Sequence, residues 1–509
     1  MRLAVALTAS RTDHYLARDA RATDILTRRH LIGESMSTVA ENLKGIADLP
    51  SPKGLPVLGN MFQLDIERFH LQLEKWCDEL GPIFKLNMGP VQLVCVADPE
   101  PINKMLRDRP NTYRRRRVLE TIIAEMGFNG VFSSEGDDWR RQRKQVALAL
   151  NTAHLHQFTP KLLATTETLR RRWIGLAENG QSVDLCRDVM RYTVDITTQL
   201  AFGINANTLE TDGPVIQQQL DKVFPMLARR INSAVPYWRY FRLAQDRELD
   251  EALLNIKQTV NGYIADCRQR MAEQPEFFEA PSNFLEAIIA AQATEQGADF
   301  TDDDIYANVL TLLLAGEDTT ANTIAWACKY FIDFPDYFDR ARTEVDGLLG
   351  GSTSVTDYQQ LSELPFIEAF TNETMRLKPI APLNGLETNE PVELMGYHLP
   401  ANTPILAMTR YPALKAENFA EPRRFDPERW LKPSDDDQCP HNTQAFLPFG
   451  TGPRFCPGRN LALAEIKIVL AMLCRNFDLS LTHPDVEVEE KLSFTMLPKN
   501  LMVNFSPRG

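Results

Sequence analysis

Ten residues near the C-terminus, Phe449-Gly450-Thr451-Gly452-Pro453-Arg454-Phe455-Cys456-Pro457-Gly458, set one thiol in a turn-rich loop beside an arginine. As a thiolate, Cys456 has the chemistry of an axial ligand for a haem iron. The loop runs into Arg459-Asn460-Leu461-Ala462-Leu463-Ala464-Glu465-Ile466, a good helix former whose first amides have no intrahelical partners. Their partial positive charge, together with the Arg454 guanidinium, would favour the charged thiol. An isolated cysteine reads equally well as a small buried hydrophobe, so its company decides.

A second group lies within a long apolar stretch. In Ala315-Gly316-Glu317-Asp318-Thr319-Thr320, two small residues would let a flat cofactor or ligand approach the backbone, and the acids and hydroxyls offer polar contacts. The plainer alternative is a packing notch whose threonines bond back to the helix and bend it. Glu373 and Arg376 stand three residues apart on one helix face, and Arg429, in Phe425-Asp426-Pro427-Glu428-Arg429-Trp430, could join them. Exposed, such a pair is worth little. A buried Glu373–Arg376–Arg429 network would brace the loop that carries Cys456. Trp139 and Arg143 are helically spaced in Trp139-Arg140-Arg141-Gln142-Arg143-Lys144, where they could neutralise the carboxylate edge of a haem or form a core anchor beside a solvated face.

These residues need a large body to position them. The chain has 509 residues, 44% hydrophobic, enough for a large core. A formal charge of −13 disfavours a general nucleic-acid binder. The eight cysteines, Cys77, Cys95, Cys186, Cys267, Cys328, Cys439, Cys456 and Cys474, show neither paired metal spacing nor a dense disulfide pattern, which points to a reducing compartment. Residues 1–48 read as a peripheral extension. Its apolar start is too short and charged for a membrane span, acids at Asp13, Asp19 and Asp24 weaken a targeting peptide, and Met36 is a candidate internal start. A proline-rich run over 49–56 closes it, and 49–509 reads as a single catalytic domain.

Helical spacing covers 62–80, alternating strands cover 83–88 and 91–96, and helix-compatible segments dominate from Asp138 onward. The clearest buried helix is 308–331, its approach capped by Thr301 and Asp304, with a break at 315–320. Another apolar helix runs from Asn460 towards Leu473. The expected class is mainly α with small β-sheets, and no glycine-rich nucleotide motif signals an attached reductase.

In this combination the chain resembles the cytochrome P450 haem-thiolate monooxygenases over roughly residues 49–509. The resemblance rests on FxxGxRxCxG at Phe449, Gly452, Arg454, Cys456 and Gly458, on AGxDTT from Ala315 to Thr320, on ExxR from Glu373 to Arg376, on the PERW stretch and on WxxxR at Trp139 and Arg143. The thiolate loop is highly specific; ExxR and WxxxR alone are not. The resemblance implies the P450 fold, with haem b (iron protoporphyrin IX) between the Ala315-Gly316 helix and the Cys456 loop. It implies Cys456 as iron ligand and Trp139, Arg143 and Arg454 near the haem propionates. It also implies that Asp318 and Thr319 deliver protons during reductive dioxygen activation, with Glu317 an auxiliary acid, and that an organic substrate is hydroxylated. One position departs from the pattern: Leu386 stands where many family members have a propionate-binding arginine.

Ile380, Ala381, Pro382 and Leu383 resemble a wall of the family pocket, and Phe494 lies in a turn that projects towards substrate. Such groups suit a small apolar molecule, for example a fatty acid, terpene or steroid. Arg114-Arg115-Arg116-Arg117 could anchor a carboxylate, although four consecutive arginines cannot all face one pocket. Arg140, Arg141, Arg143 and Lys144 form a basic island that could receive an acidic ferredoxin or flavodoxin, itself served by an NAD(P)H-dependent reductase. The expected protein is a soluble, cytoplasmic, externally reduced monooxygenase without a membrane span or a nucleic-acid partner. A peroxide-using fatty-acid peroxygenase and a non-catalytic haem sensor compete with it. The complete Asp318–Thr319 pair and the thiolate weigh against both.

Overall fold

The computed structural model describes residues 44–508 apart from 90, 212–214, 221, 232, 234, 295, 296, 298 and 432–440. The extension over 1–43, with Met36, and the thiol Cys439 lie outside the described residues. Where spacing suggests one helix over 62–80, two 3-10 turns, Met61–Gln63 and Ile66–Arg68, precede α1 (Phe69–Leu80). Asp65 explains the difference, because its carboxylate accepts the Glu67 amide and starts a turn there. β1 (Ile83–Met88) and β2 (Val91–Val96) follow. Asp98 then caps α2 (Pro99–Arg107), which has proline in its first turn. Next come β3 (Tyr113–Arg115), α3 (Gly136–Ala149) and α4 (Leu185–Phe202).

α5 (Asp302–Asp333) is the central element. Its capping box forms: the Asp304 amide donates to Thr301 Oγ1 at 3.2 Å and the Thr301 amide to Asp304 Oδ2 at 2.8 Å. Arg141 of α3 adds an ion pair to Asp304 at 2.6 Å. The break expected at 315–320 is absent. Thr319 and Thr323 donate to the carbonyls of Ala315 and Thr319, each at 2.9 Å, so their hydroxyls are satisfied within a continuous helix.

Five further elements complete the frame of the site: α6 (Pro365–Leu377), β4 (Leu383–Thr388), β5 (Pro404–Met408), α7 (Arg459–Asn476) and the hairpin of β6 (Glu489–Leu492) with β7 (Met496–Lys499). The five-stranded sheet has the order β1-β2-β5-β4-β3, antiparallel except between β2 and β5. Residues 44–48 are stitched to this body. Lys44–Gly45 pairs with the strand Tyr397–Leu399, and Lys85 Nζ donates to the carbonyls of Ile46 and Ala47 at 3.0 and 2.6 Å.

Two large apolar clusters share α5. One takes its N-terminal half up to Leu314, and the other resumes at Ala321. The 315–320 group therefore lies at the junction of two cores.

Glu490 ties the β6–β7 hairpin to its surroundings, accepting from Arg410 at 2.8 Å and meeting His70 at 2.7 Å and Lys378. Burial alone would raise this carboxyl, but His70, Arg410 and Lys378 outweigh it and hold it well below the ordinary range. A carboxylate depressed by folding stabilises above its unfolded pKa and loses that contribution as pH falls towards the folded value. Glu490→Gln is expected to destabilise the protein by roughly 3 kcal/mol at neutral pH, because Lys378 loses its partner and the buried Arg410 keeps only Glu74. Urea unfolding should show the gap between parent and variant closing as pH drops below about 4.3.

Candidate active site

The Cys456 loop is shaped by close backbone approach. Gly452 has φ 71°, and a Cβ there would lie 2.6 Å from the Leu106 carbonyl and 2.7 Å from Arg107 Cα at the end of α2. Both obstacles are backbone, so only glycine lets the loop lie against α2. The Cys456 amide closes the loop by donating to the Phe449 carbonyl at 2.9 Å, and Gly458 leads into α7. Burial pushes the Cys456 thiol up, offset in part by the Gly458 amide and the charge of Arg143.

The cation that acts on the thiol is therefore Arg143 and not Arg454, as sequence proximity suggested. Arg454 turns away: its guanidinium lies 4.5 Å from the Trp139 ring centroid, pairs with Glu135 at 2.8 Å and donates to the Ser134 carbonyl. Arg143 covers the exposed ring of Phe455 at 4.7 Å. Trp139 and Arg454 thus come together, while Arg143 stands apart from them beside Cys456.

Behind the loop, Glu373 of α6 is fully buried with Arg376. Its carboxylate accepts from Arg376 Nε and Nη2 at 2.8 and 2.7 Å, Arg429 Nε at 3.1 Å, Trp430 Nε1 at 2.9 Å and the Asp426 amide at 2.9 Å. Arg376 also donates to the carbonyls of Ala413, Pro422 and Arg424. The Trp430 ring packs at a tilt 4.6 Å from Phe446, three residues before Phe449. The Glu373–Arg376–Arg429 network expected from sequence exists, and it reaches Cys456 through Trp430, Phe446 and the Phe449 carbonyl.

On α5, Ala315 and Thr319 are one turn apart and are accessible positions in the middle of a largely buried helix. Gly316 serves packing: a Cβ there would lie 2.3 Å from Thr197 Cγ2 of α4, and Thr193 donates to the Glu317 carbonyl at 2.9 Å. Gly316 thus has a packing reason of its own to be glycine, and Ala315 is the more open of the two small residues. Asp318 accepts from Thr495 of the β6–β7 turn at 3.4 Å. Glu317 is buried, and two residues from either neighbour it points to the opposite side of the helix from Ala315 and Thr319. The structure does not bring it to Thr319. Ala381 is exposed, Ile380 and Leu383 are half-buried, and the Phe494 ring meets Phe132 at 6.0 Å and Phe224 at 5.1 Å.

A cluster that no motif marked surrounds Glu135. Arg454 pairs with it at 2.8 Å, Arg109 lies at 3.7 Å, and the Arg115 amide donates to it at 2.8 Å. Nε of Arg109, Arg115 and Arg454 is buried without a hydrogen-bond partner. Burial pushes the Arg454 guanidinium down to about 9 and moves Arg109 and Arg115 the same way. Three guanidiniums against one carboxylate leave two positive charges in excess, which fits a group with two carboxylates on one edge. The row 114–117 divides: Arg114 pairs with Glu120, Arg117 with Glu387 and Asn402, and Arg115 joins this cluster.

A loop thiol at the start of α7, an acid–alcohol pair on α5 and a buried cationic cluster are parts that a haem-thiolate site needs. The family model for cytochrome P450 matches residues 49–505. The chain belongs to the cytochrome P450 family. It is 27% identical over 486 residues to cytochrome P450 71BT1 of Catharanthus roseus, which covers 88% of this chain and 92% of that protein. It is 24% identical over 478 residues to cytochrome P450 27C1 of Danio rerio, covering 90% and 86%. Against the bifunctional cytochrome P450/NADPH–P450 reductase 1 of Bacillus subtilis, identity is 26% over 476 residues, 92% of this chain and 43% of that protein. This P450 is an oxidoreductase of mainly helical fold, and its family's cofactor is haem b. Among the described residues, no cluster of histidine, cysteine and acid could hold a metal by itself, and no helix is long and apolar enough to cross a membrane.

Proposed function

We propose that this P450 hydroxylates a small apolar substrate, with Cys456 as the iron ligand and electrons from a separate acidic redox protein. The observation that carries this reading is the Cys456 loop, held by Gly452 against α2 and by the Phe449 carbonyl, at the start of α7. Haem b bound there supplies dioxygen activation and transfer of one oxygen atom to a C–H bond. The chain's own residues supply the rest. The thiolate gains from the Gly458 amide and the Arg143 charge. Trp139 and Arg454 hold the carboxylate edge.

Thr319 holds its hydroxyl against the Ala315 carbonyl, on the accessible side of α5, and Asp318 beside it is steadied by Thr495. A hydroxyl next to a carboxylate can pass protons inward from solvent. Asp318→Asn is expected to lower product formation on the order of 10²–10⁴-fold. Electron consumption should fall far less, read as the ratio of product to reductant consumed. Ala381, Ile380, Leu383 and Phe494 support an apolar substrate, and the dispersed cysteines support a reducing, cytoplasmic setting.

Of the basic island, Arg140 and Lys144 are the exposed members and therefore its candidate docking charges, Arg140 through a guanidinium that also meets Asp137 and Asn111. The test compares oxygen plus a reduced ferredoxin system with peroxide alone over a substrate panel, with products identified by mass spectrometry. Oxygen- and electron-dependent products are expected. Turnover with peroxide alone would replace the reading by a peroxygenase.

A further inference from the structure

We infer that the turn between β6 and β7 joins the proton route to the substrate space: Thr495 positions the Asp318 carboxylate, and its neighbour Phe494 makes that positioning answer to the bulk of the bound molecule. The inference rests on the Asp318 reading above and adds a positioning residue to it. The turn spans 493–495, between the paired Leu492 and Met496, and the Ser493 amide closes it on the Thr495 carbonyl at 2.9 Å. Consecutive residues of so short a turn share a backbone with few soft torsions, so a displacement of one carries the other. The Phe494 ring lies 6.0 Å from Phe132, in the stretch before α3, and 5.1 Å from Phe224, in the helix Val223–Ile231. All three rings are half-buried, so together they form an aromatic surface that an apolar molecule can extend. Thr495 is buried, and its Oγ1 donates to Asp318 Oδ2 at 3.4 Å, a long bond that a small shift of the turn tightens or breaks.

The hairpin is anchored on both strands below this turn. Glu490 fixes β6 through His70, Arg410 and Lys378, and the Met496 amide fixes β7 by donating to the Ile380 carbonyl at 2.9 Å. Between the anchors stand the exposed Ser493, Phe494 against the rings and Thr495 against the acid. Asp318 takes a proton from solvent and yields it to the Thr319 hydroxyl, which passes its own proton inward. Each transfer needs a carboxylate oxygen within hydrogen-bond reach of the next group. A donor on Oδ2 sets the rotation of the carboxylate and hence which oxygen is turned towards Thr319. A molecule large enough to press on Phe494 keeps Thr495 on the acid. One too slight to reach the rings leaves the turn loose, and a larger share of the reductant is consumed without product.

The test uses the purified holoprotein with a reduced ferredoxin system and two members of the substrate panel that the parent turns over, a linear fatty acid and a polycyclic steroid or terpene. It measures product formed per reductant consumed, and binding constants from the change in haem absorption. A parent that forms no oxygen-dependent product from any panel member overturns the monooxygenase reading and this inference with it; with parental turnover in hand, the variants bear on the turn alone. Thr495→Val, which keeps the shape and loses the donor, is expected to lower the ratio roughly 3- to 10-fold, the scale of one hydrogen bond, with binding constants unchanged. Thr495→Ser should keep the parental ratio, and Ser493→Ala should match the parent. With Asp318→Asn already present, Thr495→Val should change nothing further. Phe494→Ala should lower the ratio and weaken binding, whereas in the Thr495→Val background it should weaken binding alone. A parental ratio in Thr495→Val, or an equal loss with Asp318→Asn already present, overturns the role of Thr495. A loss from Phe494→Ala that is undiminished in the Thr495→Val background overturns the link to the substrate.

Discussion

Glu373→Gln is expected to destabilise the protein by about 3–5 kcal/mol, the cost of leaving buried cations without their counter-charge. The carboxylate takes five hydrogen bonds, three of them from two guanidiniums, at a site without solvent access. An amide has the same shape, yet it replaces one accepting oxygen with a donor aimed at other donors. Arg376 and Arg429 then keep charges that only backbone carbonyls share. Folded domains are stable by about 5–15 kcal/mol, so this one change removes a large fraction of the total. Glu368→Gln on the same helix is the control. Its carboxylate is half exposed and its partner Lys467, though buried, keeps the Leu361 carbonyl, so it should cost less, about 1–2 kcal/mol. Urea unfolding of both variants separates the two outcomes. Equal effects would mean that the buried network does not brace the loop.

Cys456→Ser should abolish oxygen-dependent product formation while leaving the chain folded, its unfolding free energy within about 1 kcal/mol of the parent. The loop is closed by the Cys456 amide and not by sulfur, so the hydrogen bond to Phe449 survives. A serine hydroxyl does not ionise as a thiol does and is not a soft ligand. Cys186→Ser, at a half-buried cysteine that donates to the Pro498 carbonyl, should retain full activity. Product formation by Cys456→Ser at the parent rate would remove this thiol from the chemistry.

The parts of the site legible in sequence are those whose chemistry is local or geometrically stiff. The Thr301–Asp304 cap is a relation within one turn, and the Glu373–Arg376 pair shares one helix face. Arg429 could be added because a guanidinium meets a carboxylate in few ways. What sequence hid depends on contacts between distant segments. Glu135 carries no motif, and Arg109, Arg115 and Arg454 reach it from separate elements. The packing partner of Gly316, Thr197 of α4, was hidden because it is remote in the chain. Arg454 looked like the partner of Cys456 because it is two residues away, but in irregular backbone adjacent side chains diverge. Arg143, from another helix, takes that place. Asp65 shortened a helix whose apolar spacing extended further, since a side chain that accepts a nearby amide outcompetes the helical ladder.

The most direct measurement is the absorption spectrum of the purified protein reduced under carbon monoxide. With Cys456 as the axial ligand, the Soret band of the carbonyl complex shifts far to the red, as thiolate ligation requires, and the shift vanishes in Cys456→Ser. A carbonyl complex of the parent with the Soret position of a neutral nitrogen or thiol ligand, or a red-shifted band that persists in Cys456→Ser, would contradict it.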